Sequence, residues 1–167
     1  PKINIRAAFS KTLARPEFRE MAPFSYFDFL ANESVQGNTQ LKQSLITNSD
    51  LRLEFYPGNL EMVSISGFFK SFRDPIEQIL IAASGFEPIR SYANAKAAQN
   101  YGVEFELKKK LDFVAPLLRN FSFVGNLSLI HSQIKVHEVS GFQTAKRPLQ
   151  GQADYISNFG LYFQKFS

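Results

Sequence analysis

The stretch that decides the fold is NYGVEFELKKKLDF, which runs from Asn100 to Phe113. Apolar side chains in its first half alternate with glycine or charged residues: Tyr101, Val103, Phe105 and Leu107 against Gly102, Glu104, Glu106 and Lys108. This period of two predicts a β-strand with one apolar face and one charged face. The alternation does not say what the apolar face meets, because a protein core and a lipid bilayer impose the same period.

The same alternation recurs in five other segments: Ile3–Ala14, Leu45–Pro57, Met62–Phe72, Phe121–Val136 and Tyr155–Phe166. No amphipathic helix of comparable strength appears, although Glu77–Phe86 is long enough for a turn or two of helix. The pattern therefore predicts an all-β fold, an antiparallel up-and-down meander of about six long strands. Several segments exceed the five or six residues usual for soluble strands and approach the roughly nine to eleven of a tilted membrane strand.

The connections between the segments alternate between long and short. The long ones are Pro16 to about Leu41, Asp74 to about Ala95, and His137 to Gln152, and the short ones are Pro57–Glu61 and Asp112–Asn120. Alternate connections of a meander lie on opposite rims, so all the long ones share one rim. Unstructured loops beyond about 12–15 residues are uncommon in soluble domains. Outer-membrane barrels have long loops on one rim and short turns on the other.

The charged faces are predicted to point into water. An Arg or Lys that faces lipid near the midplane costs roughly 2–4 kcal/mol, and a carboxylate somewhat less. We therefore expect five charged side chains, together with Arg6, to line the lumen of a large transmembrane β-barrel: Asp50, Arg52, Glu54, Glu104 and Glu106. The alternative is a soluble β-sandwich, perhaps a carbohydrate-binding module, that packs the same apolar faces into a core. Strand length and loop asymmetry favour the barrel.

Composition excludes several classes of function. Hydrophobic residues make up 44% of the 167, and the net charge is +4. The chain is therefore not of the disordered class, and its basic excess is too mild to indicate nucleic-acid binding. The absence of cysteine excludes disulfides and thiolate metal sites. No apolar run approaches the roughly 20 residues of a membrane helix. Because the chain starts within a strand pattern and without Met, we interpret it as a section of a longer protein.

No catalytic, metal or cofactor site is predicted. The two histidines, His131 and His137, lie six residues apart in a strand pattern, which separates them by about 20 Å. No carboxylate cluster accompanies them, so a shared metal is not expected. Ser128 and His131 suggest a hydrolase pair, but their odd spacing places them on opposite faces of a strand. We therefore predict that the protein is not an enzyme.

One aromatic cluster is a candidate binding surface. The stretch Ala22–Ser34 lies in the first long connection and contains three aromatic residues as candidate ligand contacts: Phe24, Tyr26 and Phe27. Exposed aromatic rings on such a loop can stack on sugars or other ligands. The alternative is that these rings pack against one another and order the loop.

Five segments in series resemble TonB-dependent outer-membrane receptors: NIRAAFSKTLARPEFREMAPFSYFDF (Asn4–Phe29), VQGNTQLKQSLITNSDLRLEFYP (Val35–Pro57), MVSISGFFKSFRDPIEQ (Met62–Gln78), NAKAAQNYGVEFELKKKL (Asn94–Leu111) and KRPLQGQADYISNFGLYFQ (Lys146–Gln164). Each is a degenerate strand pattern, but together they cover almost the whole chain in the family's order. The resemblance identifies residues 1–167 as part of one receptor barrel domain, without the family's plug domain.

The resemblance also implies a function. Members of this family have a barrel of about 22 strands around a plug. They import scarce nutrients such as siderophore iron, cobalamin or oligosaccharides across the bacterial outer membrane. The implied partners are the lipid bilayer, the nutrient ligand and the TonB energy-transducing complex, which acts through the plug missing from these residues. Gly102 and Gly160, both inside strand patterns, are expected either to bend the sheet or to make room for a plug.

Overall fold

The computed structural model describes residues 2–81, 88–135 and 146–164. It contains eleven strands: β1 (Lys2–Ala14), β2 (Ser25–Asp28), β3 (Glu33–Gln36), β4 (Ser44–Tyr56), β5 (Met62–Arg73), β6 (Ile76–Ile81), β7 (Ile89–Asn94), β8 (Ala97–Lys110), β9 (Phe121–Lys135), β10 (Lys146–Arg147) and β11 (Tyr155–Phe163). One short 3-10 turn lies at Pro116–Leu118. Within the described ranges, no helix is long and apolar enough to span a membrane. The prediction of an all-β fold is confirmed.

The long strands form one antiparallel sheet. Its order is β1-β4-β5-β8-β9, and both β10 and β11 pair with the far edge of β9. The large sheet is therefore six strands wide. Its neighbouring strands are consecutive in the chain, except that β2, β3, β6 and β7 lie in the connections between them. Apart from β10 and the nine-residue β11, these strands have 12 to 15 residues. The predicted up-and-down meander of about six long strands is confirmed.

The first two long connections contain a second, smaller sheet. Its order is β2-β3-β7-β6, with antiparallel pairs except where β3 meets β7 in parallel at Val35 and Arg90. The interpretation of these connections as loops was therefore wrong. The helix considered at Glu77–Phe86 was also wrong in its first part, because Ile76–Ile81 is strand β6. Three β-branched residues in that stretch suit a strand that pairs with β7. Residues 82–86 of the segment considered for a helix lie outside the described part of the chain.

A kink at Asp74 joins the two sheets. Asp74 adopts a left-handed conformation with φ 54°, and a proline follows it. Aspartate is among the residues that tolerate this region of backbone space. Asn94, at the end of β7, donates hydrogen bonds to the carbonyl oxygens of Asp74 (2.8 Å) and Lys42 (2.9 Å) and accepts one from the Lys42 N–H (2.8 Å). Hairpin β6–β7 thus continues hairpin β5–β8 beyond a fixed bend.

Most of the buried apolar residues form two small clusters near the long-connection rim. One combines Val35, Leu41 and Tyr92 beneath the small sheet. The other combines Ala95, Ala98 and Ile134, with Phe72 and Leu149 packed against it. The predicted apolar faces of the long strands are not part of either cluster.

The apolar face of the large sheet is exposed from edge to edge. Exposure is 66% for Ile3 on β1, 44% for Phe105 on β8 and 71% for Phe159 on β11. A β-sandwich would need a second sheet against this face, and none covers it in the part of the chain that the structure describes. The isolated sheet therefore presents one broad, uncovered apolar surface.

Candidate functional site on the charged face of the large sheet

The opposite face carries a ladder of ion pairs across four strands. Arg52 Nε donates to Glu54 Oε1 at 2.8 Å, and its Nη2 donates to Glu106 Oε2 at 2.6 Å. Arg6 Nη2 lies 3.2 Å from Glu54 Oε2, and the Tyr56 hydroxyl donates to the same oxygen at 2.9 Å. We call these five residues the charged ladder.

The strand register explains why the ladder forms. Arg6 on β1 lies opposite Arg52 on β4, and Ser64 on β5 lies opposite Glu106 on β8. Because side chains alternate in direction, all of these positions project from one face. The side chain of Glu54 is only 4% exposed. Its carboxylate is contacted by two guanidinium groups and one phenol. A carboxylate with so many donors can remain charged away from water.

A concavity of about 510 Å³ continues the charged face toward the long-connection rim. Its lining includes groups of both charges, among them Asp50, Lys70 and Glu104. Glu104 accepts hydrogen bonds from the hydroxyls of Ser66 (3.4 Å) and Ser128 (3.5 Å). Such a wall suits water and polar contacts. Within the described ranges, no group of three or more metal-ligating side chains lies together.

The ring of Phe68 fills the space over Gly102. A Cβ on Gly102 would lie 2.8 Å from two ring carbons of Phe68 and would collide with the carbonyl oxygen of Leu129. Phe68 and Gly102 are direct partners across β5 and β8. Of the two expectations for Gly102, a bend in the sheet or room for a plug, the second is not met, because a side chain of this chain takes the space. A Cβ on Gly160 would similarly lie 3.0 Å from the Tyr162 ring.

Residues 148–154, which we call the strap, cross the charged face between β10 and β11. The Leu149 N–H donates to Ser132 Oγ (3.1 Å), and Asn100 Nδ2 donates to Gln152 Oε1 (2.9 Å). The Ile130 N–H donates a hydrogen bond to the carbonyl oxygen of Asp154, the last strap residue, at 2.8 Å. The strap is longer than stretch 130–133 of β9, which lies opposite it. The strap therefore departs from the backbone pairing as an enlarged bulge.

The strap is tied to the small sheet by charge. Arg147, just before the strap, places Nη2 2.9 Å from Glu77 Oε2 on β6. Gln150 Nε2 donates to Gln78 Oε1 at 2.8 Å. Burial raises the pKa of Glu77, and the charge of Arg147 works against that rise. The small sheet and the charged face thus share one polar network.

A second ion-pair group orders the small sheet itself. Arg90 Nη2 lies 2.7 Å from Glu33 and 3.3 Å from Asp28. The pKa of Asp28 lies below its usual value, chiefly because the Ala31 N–H donates to the carboxylate, and Leu30 and Arg90 add to the effect. These contacts join β2, β3 and β7.

The five residues predicted to line a lumen all lie on the charged face. Arg52, Glu54 and Glu106 are joined in the ladder, whereas Asp50 and Glu104 border the concavity. Tyr56 and Phe68 also lie on this face and were not predicted there, although the same period of two would have placed them. The strap contact of Asn100 with Gln152 was not predicted either, because the two residues are 52 positions apart in sequence with no pattern connecting them.

The aromatic candidates separate in the structure. Tyr26 is half-buried against the Val35–Tyr92 cluster, and the Arg19 guanidinium lies 5.6 Å from its ring centroid. Phe24 and Phe27 are 62% and 45% exposed. The Phe27 ring meets Phe29 edge-on at 5.1 Å. Tyr26 is therefore packed into the small sheet, Phe27 contacts a neighbouring ring while staying partly exposed, and Phe24 is open to solvent.

The expected separation of Ser128 and His131 is confirmed. Ser128 bonds Glu104 on the charged face, whereas the His131 ring lies 5.3 Å from that of Tyr101 on the apolar face. A serine–histidine pair is therefore not formed here. His137 lies outside the described residues.

Comparison with known proteins places this geometry in a family. The family model for the β-barrel of TonB-dependent receptors matches residues 1–167. The siderophore receptor PirA of Pseudomonas aeruginosa has a similar fold, with a TM-score of 0.61 and 17% identity over 81% of this chain and 28% of that one. A mutant ferric enterobactin receptor PfeA from the same organism gives 0.54 and 16% identity over 95% and 30%. No curated protein matches the chain.

These likenesses have a clear scope. The identities of 16–17% show a shared fold, and the chain spans 28–30% of the length of these solved receptors. The match of the family model, in contrast, extends over every residue from 1 to 167. Together with the two-faced meander, it establishes that the chain belongs to the TonB-dependent receptor family, within its β-barrel domain.

Proposed function

We propose that this chain is a section of the barrel wall of a bacterial outer-membrane receptor that imports a nutrient with energy delivered by TonB. The observation that carries the proposal is the division of the large sheet into an uncovered apolar face and an ion-paired face. The work of such a protein is transport, without bond chemistry.

The two faces have one favourable orientation in a membrane. Turning the charged face to lipid would cost roughly 2–4 kcal/mol for each cation near the midplane. Leaving the apolar face in water would expose a patch far larger than soluble monomers usually tolerate. We therefore infer that Tyr101, Val103, Phe105 and Leu107 contact lipid. Asp50, Arg52, Glu54, Glu104 and Glu106 would then line the lumen.

The exposed edges suit pairing with the rest of a barrel. All residues of β1 are exposed, and β11 is exposed along almost its whole length. Unpaired edges of this length require partners. In the complete receptor we expect them to pair with the remaining barrel strands, and we expect the charged face to surround the plug through which TonB acts.

The small sheet would then lie on the extracellular rim and present the ligand surface. Phe24 and Phe27 are the exposed aromatic rings that we propose as ligand contacts, while Tyr26 holds the sheet beneath them. Siderophore-bound iron, cobalamin and oligosaccharides are the candidate nutrients. The two solved receptors described above are named for siderophore and ferric enterobactin.

Uptake in cells tests the transport proposal. A strain that lacks the full-length receptor should regain accumulation of one labelled candidate nutrient when the receptor is restored, and should lose it again when TonB is deleted. Accumulation that persists without TonB, or restoration of none of the three nutrient classes, would contradict the proposal.

Ligand affinity tests the aromatic contacts. In the full-length receptor, Phe24→Ala combined with Phe27→Ala should weaken binding of the imported nutrient by about tenfold, the effect of losing one or two ring contacts. Val114→Ala, an exposed apolar residue on the opposite rim, is the matched control and should bind normally. Unchanged affinity in the double variant would remove the two rings from the site.

A further inference from the structure

We propose that the apolar face contains a specific site for one anionic phospholipid, with an acyl chain in a groove at Gly125 and the phosphate at Lys109. The inference rests on the proposed function, because it requires that this face meets the bilayer. The site lies near the rim of the short connections, away from the small sheet.

The groove has a volume of about 270 Å³. Its lining includes Val63, Phe105, Leu107, Phe123, Gly125 and Phe159. Leu107, Gly125 and Phe159 are direct partners across β8, β9 and β11. Because the residue in the middle of that row has no side chain, the rings of Phe123 and Phe159 can approach it closely.

Two stacked rings border the groove. The rings of Phe123 and Phe159 have centroids 6.1 Å apart and planes 25° apart. A Cβ on Gly125 would lie 3.0 Å from a carbon of each ring. These contacts leave no room for a side chain at residue 125. The groove that the two rings border is apolar, which suits a chain of methylene groups better than a polar or branched ligand.

A cation stands at the rim end of the groove. Lys109 projects from the same face as Leu107, about 7 Å further along β8, and lies directly opposite Phe123. Its ammonium is 2.8 Å from Glu61 Oε1 and 5.6 Å from the centroid of the Phe113 ring. An ammonium has three N–H donors, and the side chain is 38% exposed. A donor remains for a phosphate oxygen above the groove.

The surrounding residues identify the ligand as a phospholipid. The end of β8 and the connection after it carry four basic residues, Lys108, Lys109, Lys110 and Arg119, of which Lys108 and Lys110 project from the charged face; the nearby carboxylates are Asp112 and Glu61. A basic rim next to an apolar groove attracts anionic headgroups. The same connection exposes three apolar side chains at the level expected for lipid headgroups: Phe113, Val114 and Leu117. An acyl chain and a phosphate in one molecule match both parts of the site.

Native mass spectrometry of the full-length receptor tests the site. The receptor is released from nanodiscs of phosphatidylglycerol or phosphatidylcholine with identical acyl chains, and retained lipids are counted. We expect one retained phosphatidylglycerol, and Lys109→Gln should lower its retention about fivefold without affecting phosphatidylcholine. Gly125→Val should lower retention of both lipids.

Matched variants separate the site from general surface effects. Lys11→Gln removes a cation from the same face at the other rim, and Gly67→Val fills a glycine whose added Cβ would meet only one atom, at 3.9 Å. Both should retain lipid as the wild type does. Equal retention of the two lipids by the wild type, or equal losses in the control variants, would overturn the proposal.

Failure here is distinguishable from failure of the transport proposal. A receptor that inserts into nanodiscs and imports its nutrient but retains no phosphatidylglycerol would overturn the lipid site alone. A receptor that does not insert would overturn both. Heat-dependent gel mobility, which reports a folded barrel, verifies each variant before its lipids are counted.

Discussion

Arg52 on β4 and Glu106 on β8 are joined by a 2.6 Å hydrogen bond that passes over the strand between them, β5. Adjacent strands lie only 4.7–4.9 Å apart, so the long arginine side chain reaches the second neighbour. The contact ties three strands together by side chains as well as by backbone ladders. Ser64 on the middle strand donates to the same carboxylate at 3.4 Å.

Replacing Arg52 with methionine should destabilise the folded receptor by about 1–2 kcal/mol, because Glu106 would lose its closest cation on a partly exposed face. Urea unfolding in lipid vesicles measures the effect. Lys70→Met, on the same face with its ammonium over the Phe68 ring, is the matched control and should cost less. A double variant with Glu106→Gln should be less destabilised than the sum of its parts, and strict additivity would contradict the pairing.

Gly102→Ala should destabilise the sheet by about 1–3 kcal/mol, as expected for an overpacked site. The added methyl group would collide with a backbone oxygen of Leu129 and crowd the Phe68 ring. Adding Phe68→Leu should recover only part of the loss, since the backbone clash persists. Gly67→Ala, in open space on the other face, should be nearly neutral. Equal stability of the two alanine variants in the same urea titration would refute this account of Gly102.

Asn94→Ala should loosen the junction between the two sheets. It removes three hydrogen bonds that hold Asp74 and Lys42, each with a net contribution of about 1 kcal/mol. Amide hydrogen exchange should accelerate at Lys42 and Ala95, while amides in the middle of β8 keep their protection. Gln43→Ala, which truncates an exposed amide beside Lys42, is the control. Unchanged exchange at Lys42 would show that Asn94 does not fix the bend.

Glu77 gives the small sheet a predictable pH dependence. Burial raises its pKa above the usual 4.5, so the folded state holds the proton more tightly than the unfolded state. The resulting stabilisation is full below about pH 4.5 and is lost as pH rises through the folded pKa. Glu77→Gln cannot ionise, so its stability relative to the wild type should increase from acid to neutral pH.

Exchange of β6 and β7 amides between about pH 2 and pH 8, corrected for intrinsic rates, measures this trend. Asp28→Asn provides a control of opposite sign, because the pKa of Asp28 is lowered. The stabilisation from Asp28 is present above the usual pKa and is lost as pH falls through the lowered one. Parallel pH profiles for the wild type and Glu77→Gln would contradict the assignment.

The sequence predicted the features that depend on strict alternation. Side-chain direction in a strand has a period of two, so Arg52, Glu54 and Glu106 fall on one face whatever the register. The length of the apolar runs likewise predicted the long strands. Both arguments use only local geometry, which explains why the large sheet was foreseen.

The small sheet and the strap were not foreseen, for a physical reason. Strands β3 and β7 meet through a single parallel pair, Val35 with Arg90, far apart in the chain. Short strands carry too few alternating positions to stand out from loops. The strap contact of Asn100 with Gln152 similarly depends on where the sheet brings distant residues together. Both features depend on contacts between residues that are far apart in sequence, and no local sequence pattern predicts such contacts.

The most direct test compares Val103→Cys with Glu104→Cys, two adjacent positions on β8 whose side chains project from opposite faces. Each variant of the full-length receptor carries a nitroxide label in bilayers, and collisions with oxygen and with a water-soluble nickel complex are measured. The label at Val103 should meet oxygen dissolved in lipid, and the label at Glu104 should meet the nickel complex. Equal accessibility at both positions, or protection of Val103 from both reagents, would contradict the assignment of the apolar face to lipid.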